Sequence, residues 1–330
     1  MTNSSLGQLA WINNDWQQSL IPSHVQLWPP NYTCYGVNNT DPRLYYTDEQ
    51  NNVIEAAWVG TWVTNILPGN TTRYRTPLAC FGLNGASARV YYIDSDHHVN
   101  ELAWNGHWVI NVLPSNDAAD GSGLACFGIN GTDSRVYYVD SQKRINELAW
   151  VGKWVNNVLP GSPPRSNSVR GLACFGVGGK DSRLYYVGED NRVKELAWVG
   201  AWVENDLPGE LEVQADSPLA CYGVYGTESR VYYIDTDDRV NELAWISRWV
   251  DNVLPGRTAV DGTGLACFGV NGTDARVYYV GRETGLVEEL AWKGSWTSSN
   301  VLQSSEGTIS HDTDVACFGF HGADLRVYFD

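Results

Sequence analysis

The chain has 330 residues, and 43% of them are hydrophobic, which is the composition of a globular protein. Its formal net charge of −16 argues against a nucleic acid or an anionic membrane surface as partner, because either would repel it. No apolar run is long enough to insert into a bilayer. The N-terminal residues MTNSSLGQLAW lack the charged start and apolar core of a secretory signal. We therefore expect a cytoplasmic protein, with release by a route without a signal peptide left open.

From one end to the other, the chain repeats a single unit of about 47 residues. One copy, from position 124 to 160, reads LACFGINGTDSRVYYVDSQKRINELAWVGKWVNNVLP. Its frame is an Arg before VYY, a Glu twelve residues later, and two Trp four residues apart. Self-similarity at this period is typical of propellers and solenoids, so the repeat indicates the architecture before any single element does.

Each repeat contains four short segments rich in Val, Tyr, Trp and Ile, separated by Gly, Asn and Asp turns. In the second repeat these segments are Leu78–Leu83, Arg89–Asp94, Val99–Trp104 and Trp108–Leu113. No segment has the periodicity of an amphipathic helix. The pattern predicts an all-β protein, a seven-bladed β-propeller of four-stranded antiparallel blades in one domain over residues 1–330. The small residues of LACFG suit the crowded axis, so we expect that strand to be innermost.

The two ends of the chain complement each other. QLAWINNDW, at positions 8–16, corresponds to the third and fourth strands of a repeat, and ACFGFHGADLRVYFD, at 316–330, to the first and second. Together they predict one complete blade, which closes the ring without a covalent bond between the termini.

Each repeat also carries one Cys, at positions 34, 80, 126, 174, 221, 267 and 317. An odd number of thiols, one in each unit, does not resemble a disulfide framework. No ligands are clustered at metal-binding spacing, so we expect no cofactor and no metal site. Small, buried and reduced thiols near the axis are the simpler interpretation.

The Arg and Glu lie on neighbouring strands, and their even separation places them on one face of the blade if the hairpin loop is odd. A guanidinium beside a carboxylate provides the donors and acceptors that adjacent sugar hydroxyls need, and Trp faces cover the apolar side of a sugar ring. Two plainer interpretations stay open. The charged pair is also typical of a cross-strand ion pair, and propeller Trp often only pack between blades. We assign the VYY tyrosines to packing.

The pattern RVYY, NELAW and a second Trp after Gly resembles the fucose-specific lectins of the Aleuria aurantia type and their shorter bacterial relatives. The resemblance implies pockets between adjacent blades. In each, the Arg and Glu of one blade bind sugar hydroxyls and the ring oxygen, and the Trp pair of the neighbouring blade stacks on the ring and its methyl group. The familiar fungal members have six blades, whereas this chain has seven motifs.

Taking the neighbour as the following repeat, the resemblance implies seven pockets. They consist of Arg43 and Glu55 with Trp104 and Trp108; Arg89 and Glu101 with Trp150 and Trp154; Arg135 and Glu147 with Trp198 and Trp202; Arg183 and Glu195 with Trp245 and Trp249; Arg230 and Glu242 with Trp292 and Trp296; Arg276 and Glu289 with Trp11 and Trp16; and Arg326 and Gln8 with Trp58 and Trp62.

Two of these pockets depart from the common pattern. Arg276 and Glu289 are thirteen residues apart and Trp11 and Trp16 five, so we expect their pocket to be distorted. In the pocket of Arg326, the neutral Gln8 replaces the Glu, and we expect this pocket to be the weakest.

The resemblance implies a non-catalytic, multivalent lectin for terminal L-fucose, with fucosylated glycans as partners and a homodimer left open. Two alternatives remain, a propeller glycosidase and a WD-type protein-interaction scaffold. A glycosidase needs two carboxyl groups, one of them protonated, whereas each repeat supplies one Glu and an Arg that should lower its pKa. We interpret the acidic stretches Asp94–Asp96 and Asp235–Asp238 as solvated turns and not as calcium ligands.

Overall fold

A computed structural model describes residues 6–12, 15–21, 32–37, 41–73, 76–83, 87–129, 133–165, 171–177, 181–209, 211–224, 228–270, 274–301, 314–320 and 324–329. These residues form 28 strands in seven separate four-stranded antiparallel sheets. The seven-bladed, all-β prediction is confirmed. Within the described ranges no helix is long and apolar enough to cross a bilayer.

The strands follow one another in the same order in six of the blades. Blade 1 contains β3 (Thr33–Val37), β4 (Asp41–Thr47), β5 (Val53–Trp58) and β6 (Trp62–Ile66); blade 2, β7 (Ala79–Leu83), β8 (Ser87–Ile93), β9 (Val99–Trp104) and β10 (Trp108–Val112); blade 3, β11 (Leu124–Ile129), β12 (Asp133–Val139), β13 (Ile145–Trp150) and β14 (Trp154–Val158); blade 4, β15 (Leu172–Val177), β16 (Asp181–Val187), β17 (Val193–Trp198) and β18 (Trp202–Asp206); blade 5, β19 (Ala220–Val224), β20 (Glu228–Ile234), β21 (Val240–Trp245) and β22 (Trp249–Val253); blade 6, β23 (Ala266–Val270), β24 (Asp274–Val280), β25 (Val287–Trp292) and β26 (Trp296–Asn300).

The seventh blade joins the two ends of the chain. Strands β1 (Leu6–Ile12) and β2 (Asp15–Ile21) pair with β28 (Asp324–Phe329) and β27 (Val315–Phe320) in the order β2-β1-β28-β27. The expected closure is confirmed, and we call this sheet the closing blade.

The first strand of each blade is the innermost, because it contacts the first strands of both neighbouring blades. Close packing there explains the small residues of LACFG. A Cβ added to Gly176, for example, would lie 2.3 Å from the ring of Phe127 in the preceding blade. The hydrophobic core is divided among seven clusters, each shared by two adjacent blades and centred on fully buried tyrosines of the second strands.

The seven Cys line a central channel of about 280 Å³. All seven are free thiols. Each is half-buried because it borders the channel, whereas the sequence suggested full burial. Their deep position still raises the pKa of every thiol by desolvation, for example to about 12 for Cys80.

The acidic stretches correct a second expectation. Asp94 and Asp235 are almost fully buried, although we had interpreted them as parts of solvated turns. One oxygen of Asp94 accepts hydrogen bonds from the backbone N–H groups of Asp96 and His98, which closes the hairpin loop. Asp48 and Asp140 close their own loops in the same way. The sequence pattern concealed these carboxylates because Gly188 and Gly281 occupy the position in two other blades.

Candidate sugar-binding site

Each blade presents two different faces to its neighbours. In blade 3, Tyr137 is paired with Glu147, and Glu147 with Asn157, so these side chains lie on one face together with Arg135. Trp150, three residues beyond Glu147, must point to the opposite face, since side chains alternate along a strand. Trp154, its cross-strand partner, shares that opposite face.

The polar face of one blade meets the Trp face of the following blade. The evidence is an edge-to-face contact between the first Tyr of VYY and the second Trp of the next repeat, with ring centroids 6.0–6.3 Å apart. The seven contacts are Tyr45–Trp108, Tyr91–Trp154, Tyr137–Trp202, Tyr185–Trp249, Tyr232–Trp296, Tyr278–Trp16 and Tyr328–Trp62. The structure therefore brings together each Arg and Glu (or Gln8) with the Trp pair that the sequence assigned to it.

The two Trp of a pair have different surroundings. Their rings pack edge to face, with centroids 5.4–5.8 Å apart. The second Trp of each pair is half-buried against the neighbouring Tyr. The first Trp is exposed in five pairs, at 36–38% of its surface, namely Trp58, Trp104, Trp198, Trp245 and Trp292. Packing between blades accounts for the second Trp but leaves the ring of the first one open to a ligand.

The carboxylate of Glu147 is held by several donors. The Tyr137 hydroxyl donates to its Oε1 at 3.1 Å, and Asn157 Nδ2 donates to its Oε2 at 3.2 Å. Arg135 Nε lies 3.5 Å from Oε1. Blades 1, 2, 4 and 5 repeat the arrangement, with Arg-to-Glu distances of 3.4–3.6 Å. An ionised carboxylate offers about four acceptor positions, so the three contacts of Glu147 leave room for one more donor.

The guanidinium beside it is anchored but not saturated. Arg135 Nη1 donates to the backbone carbonyl groups of Ser134 and Trp150. Within the described residues, nothing accepts a hydrogen bond from the Nη2 group of Arg43, Arg89, Arg135 or Arg183. Each of these pockets thus combines a fixed donor, a fixed acceptor and the aromatic faces of the next blade.

Two pocket residues escaped the sequence analysis. The first Tyr of VYY is core, as expected, but its hydroxyl also orients the carboxylate. The Asn three residues after the second Trp was not recognised, although it recurs as Asn65, Asn111, Asn157, Asn205 and Asn252. That recurrence at a fixed place in the repeat was the available signal.

At Glu242, burial outweighs the neighbouring Arg. Burial raises the pKa of this carboxyl, and Arg230 and the hydrogen bonds from Tyr232, Asn252 and Trp296 only partly offset the effect. Arg230 lowers the pKa, as we had expected, but it does not set the net direction. Desolvation of this buried carboxyl prevails.

The pocket of Arg276 and Glu289 retains the common strand register. The distortion that we expected from the sequence does not extend to the strand pairing. Arg276 is opposite Ala291 and Tyr278 opposite Glu289, and the additional residue lies in the hairpin loop between β24 and β25. Trp11 and Trp16 are likewise direct cross-strand partners. The differences are local. The Arg276-to-Glu289 distance is 3.8 Å, the longest of the set, and Ser299 occupies the position of the Asn.

The pocket of Arg326 and Gln8, in the closing blade, differs more. Gln8 is paired with Tyr328, as each Glu is with its Tyr. Here, however, Gln8 Oε1 and the Tyr328 hydroxyl are both buried without a hydrogen-bond partner among the described residues. Ser19 is opposite Gln8, so this pocket also lacks the Asn.

Within the described ranges, no group of three or more His, Cys, Asp or Glu is arranged to hold a metal ion.

Comparison with known proteins gives the family and the fold. Residues 128–330 match the model of the fungal fucose-specific lectin family, and the chain belongs to that family, a family of carbohydrate-binding lectins. A search of curated protein sequences finds no match.

Solved structures of lectins share the fold. The Aleuria aurantia lectin, described as a six-bladed β-propeller, has a TM-score of 0.64 and 20% identity over 87% of this chain and 100% of its own. The BP39L lectin from Burkholderia pseudomallei has a TM-score of 0.67 and 17% identity over 90% of each chain. AofleA from Arthrobotrys oligospora has a TM-score of 0.61 and 18% identity, covering 84% of this chain and 88% of its own. The Aleuria aurantia lectin has also been solved, as a mutant, with α-methyl-L-fucoside.

Proposed function

We propose that this protein is a non-catalytic, multivalent lectin that binds terminal L-fucose in the pockets between adjacent blades. The observation that carries the proposal is the repeated juxtaposition of an Arg–Glu pair on one blade with an exposed Trp on the next. Adjacent sugar hydroxyls need a donor and an acceptor together, and the indole face covers apolar C–H groups of the ring. Membership of a fucose-specific family supports fucose as the sugar.

Multivalency follows from the arrangement of the pockets. A shallow site that binds one sugar is weak alone, but several similar sites on one rigid ring raise the effective concentration of a glycan-coated surface. We therefore propose fucosylated glycoconjugates as partners. The net charge of −16 supports the exclusion of nucleic acid, whose phosphates the protein would repel. A homodimer is compatible with this function but is not required by it.

A glycosidase is less well supported. The raised pKa of Glu242 is a property that a general acid needs. Hydrolysis by the usual mechanism also needs a second carboxyl group across the scissile bond, and the repeated motif brings one Glu to each of six pockets and Gln8 to the seventh. The observations favour binding without turnover.

A glycan array, measured with and without free L-fucose, tests the proposal. We expect binding to fucosylated glycans and its loss in the presence of the free sugar. A parallel assay with an aryl fucoside should give no release of the aryl group. Binding that ignores free fucose would favour the protein-interaction scaffold, and turnover of the aryl fucoside would favour the glycosidase.

A further inference from the structure

One position on the fourth strand divides the seven pockets into two groups. It lies directly opposite the Glu or Gln8 in every blade. Five blades have Asn there, whose Nδ2 donates to the Glu Oε2 at 2.9–3.3 Å. The other two blades have Ser299 and Ser19.

The Asn controls how firmly the carboxylate is held. The last torsion of a Glu side chain has a broad, nearly two-fold preference, so a contact at one oxygen alone leaves the plane of the carboxylate free to turn. Glu147 is held at Oε1 by Tyr137 and at Oε2 by Asn157. Among described side chains, Glu289 accepts a hydrogen bond only from Tyr278.

We propose that this Asn is a positioning residue that sorts the ring into five tight sugar pockets and two weak ones. The inference rests on the proposed function and adds the residue that sets the affinity of each pocket. A carboxylate fixed in advance meets the sugar hydroxyl without first losing torsional freedom, which is the general advantage of a preorganised site.

A packing role does not explain the Asn. On the outermost strand of their blades, Asn65, Asn111 and Asn157 are exposed, and Asn205 and Asn252 are half-buried. Blade 6, which has Ser299 at this position, keeps the same register between its third and fourth strands. The side chain is therefore dispensable for the strand pairing and free to serve the carboxylate.

The decisive variant is Ser299→Asn, because the pocket of Glu289 keeps its carboxylate, its Tyr and its register. We expect crystals soaked at sub-saturating α-methyl-L-fucoside to show five well-occupied pockets and two poorly occupied ones. Ser299→Asn should tighten the Glu289 pocket about fivefold and bring it to the level of the five. Ser298→Asn is the matched control, since that neighbouring position is paired with Leu290 and lies on the other face. It should leave the Glu289 pocket unchanged.

The reciprocal variant is Asn157→Ser, which should weaken the Glu147 pocket about fivefold while the other pockets keep their occupancy. An unchanged pocket after either Ser299→Asn or Asn157→Ser would overturn the inference. Equal sugar occupancy in all seven pockets of the unmodified protein would also overturn it, without touching the proposed function. No sugar in any pocket, together with no heat of binding in solution, would overturn the proposed function itself.

A pH profile separates positioning from packing. The Asn252 hydrogen bond lowers the pKa of Glu242, so Asn252→Ser should raise that pKa. Sugar occupancy of this pocket should then be lost at a higher pH than in the unmodified protein. A purely structural Asn would weaken the pocket equally at every pH, and that result would overturn the inference.

Discussion

The pocket between blades 3 and 4 and the pocket of the closing blade have the same strand register but different chemistry. In the first, Glu147 accepts hydrogen bonds from Tyr137 and Asn157 and lies beside Arg135. In the second, Gln8 takes the place of the Glu, and its Oε1 and the Tyr328 hydroxyl lack hydrogen-bond partners among the described residues.

The comparison separates what builds the ring from what makes a sugar site. Tyr328 packs on Trp62 in the closing blade as Tyr137 packs on Trp202. The aromatic interface between blades is thus independent of the carboxylate. The polar set is added to this scaffold. In the closing blade, where Gln8 and Ser19 replace the Glu and the Asn, two buried groups are left unsatisfied, at a cost of about 1–3 kcal/mol each.

The largest loss of sugar affinity should follow from removing one member of the charged pair in the pocket between blades 3 and 4. Arg135→Ala or Glu147→Ala should remove sugar from that pocket and leave the ring folded, because the polar set is local to one interface between blades. Loss of a charged hydrogen-bond partner costs about 1.5–3 kcal/mol, or roughly ten- to a hundredfold in affinity.

The measurement is site-by-site occupancy in soaked crystals, together with agglutination. Agglutination should fall only modestly, since the other pockets remain. The control is Arg326→Ala, which changes the pocket that we expect to be the weakest and should alter agglutination less. Loss of all sugar binding with the fold intact would contradict independent pockets.

Removing the Tyr hydroxyl should cost stability in the pocket of Glu147 but not in the closing blade. Tyr137→Phe removes a hydrogen bond to a carboxylate, and we expect it to lower the free energy of unfolding by about 1.5–3 kcal/mol. Tyr328→Phe removes a buried hydroxyl that has no partner in the described structure, so it should leave that free energy unchanged or raise it. Denaturant unfolding of the two variants compares them directly, and equal losses would refute the assigned difference.

Restoring the carboxylate should raise the sugar affinity of the closing pocket toward that of the pocket between blades 3 and 4. With Gln8→Glu, the Tyr328 hydroxyl gains an acceptor and Arg326 gains a charge partner, as in the other blades. A charge-assisted hydrogen bond is about twice as strong as a neutral one, so the gain should be about 1 kcal/mol, or roughly fivefold in affinity. Occupancy at sub-saturating fucose measures it. If the closing pocket of the unmodified protein already filled as readily as its neighbours, the Gln8 argument would fail.

Much of this molecule could be predicted from its sequence because the same motif recurs seven times. Arg135 and Glu147 recur with fixed spacing, so strand alternation places them on one face of the blade. The family resemblance, and not the spacing, assigned Trp202 of the next blade to them. The extra residue between Arg276 and Glu289 was misjudged, since spacing cannot show that a hairpin loop absorbs it. The role of Asn157 and the buried state of Asp94 depend on contacts across strands and loops, which no spacing in one repeat encodes.

Acidification should lower the sugar affinity of the Glu242 pocket toward that of the closing pocket. Burial raises the pKa of Glu242, so this carboxylate becomes protonated at a higher pH than a solvent-exposed Glu, and it then no longer accepts two hydrogen bonds as an anion. Affinity at this pocket should fall as the pH drops through the raised pKa, by up to about fivefold. The amide of Gln8 does not titrate, so occupancy of the closing pocket should vary less with pH.

As the pH rises, the contribution of Glu242 to the free energy of unfolding should fall, whereas the sugar affinity of its pocket should increase. Between the unfolded and the raised folded pKa, the folded state holds more protons at Glu242, so this residue makes unfolding easier as the pH rises through that window. Glu242→Gln is the matched variant, because it keeps the shape and removes the titration. Its pocket should bind sugar with the affinity that the unmodified Glu242 pocket reaches in acid, and it should not respond to pH. Crystals soaked at one fucose concentration across a pH series give both occupancies at once. A Glu242 pocket that stays as full in acid as at neutral pH would show that the ionised carboxylate is not what distinguishes it from the Gln8 pocket.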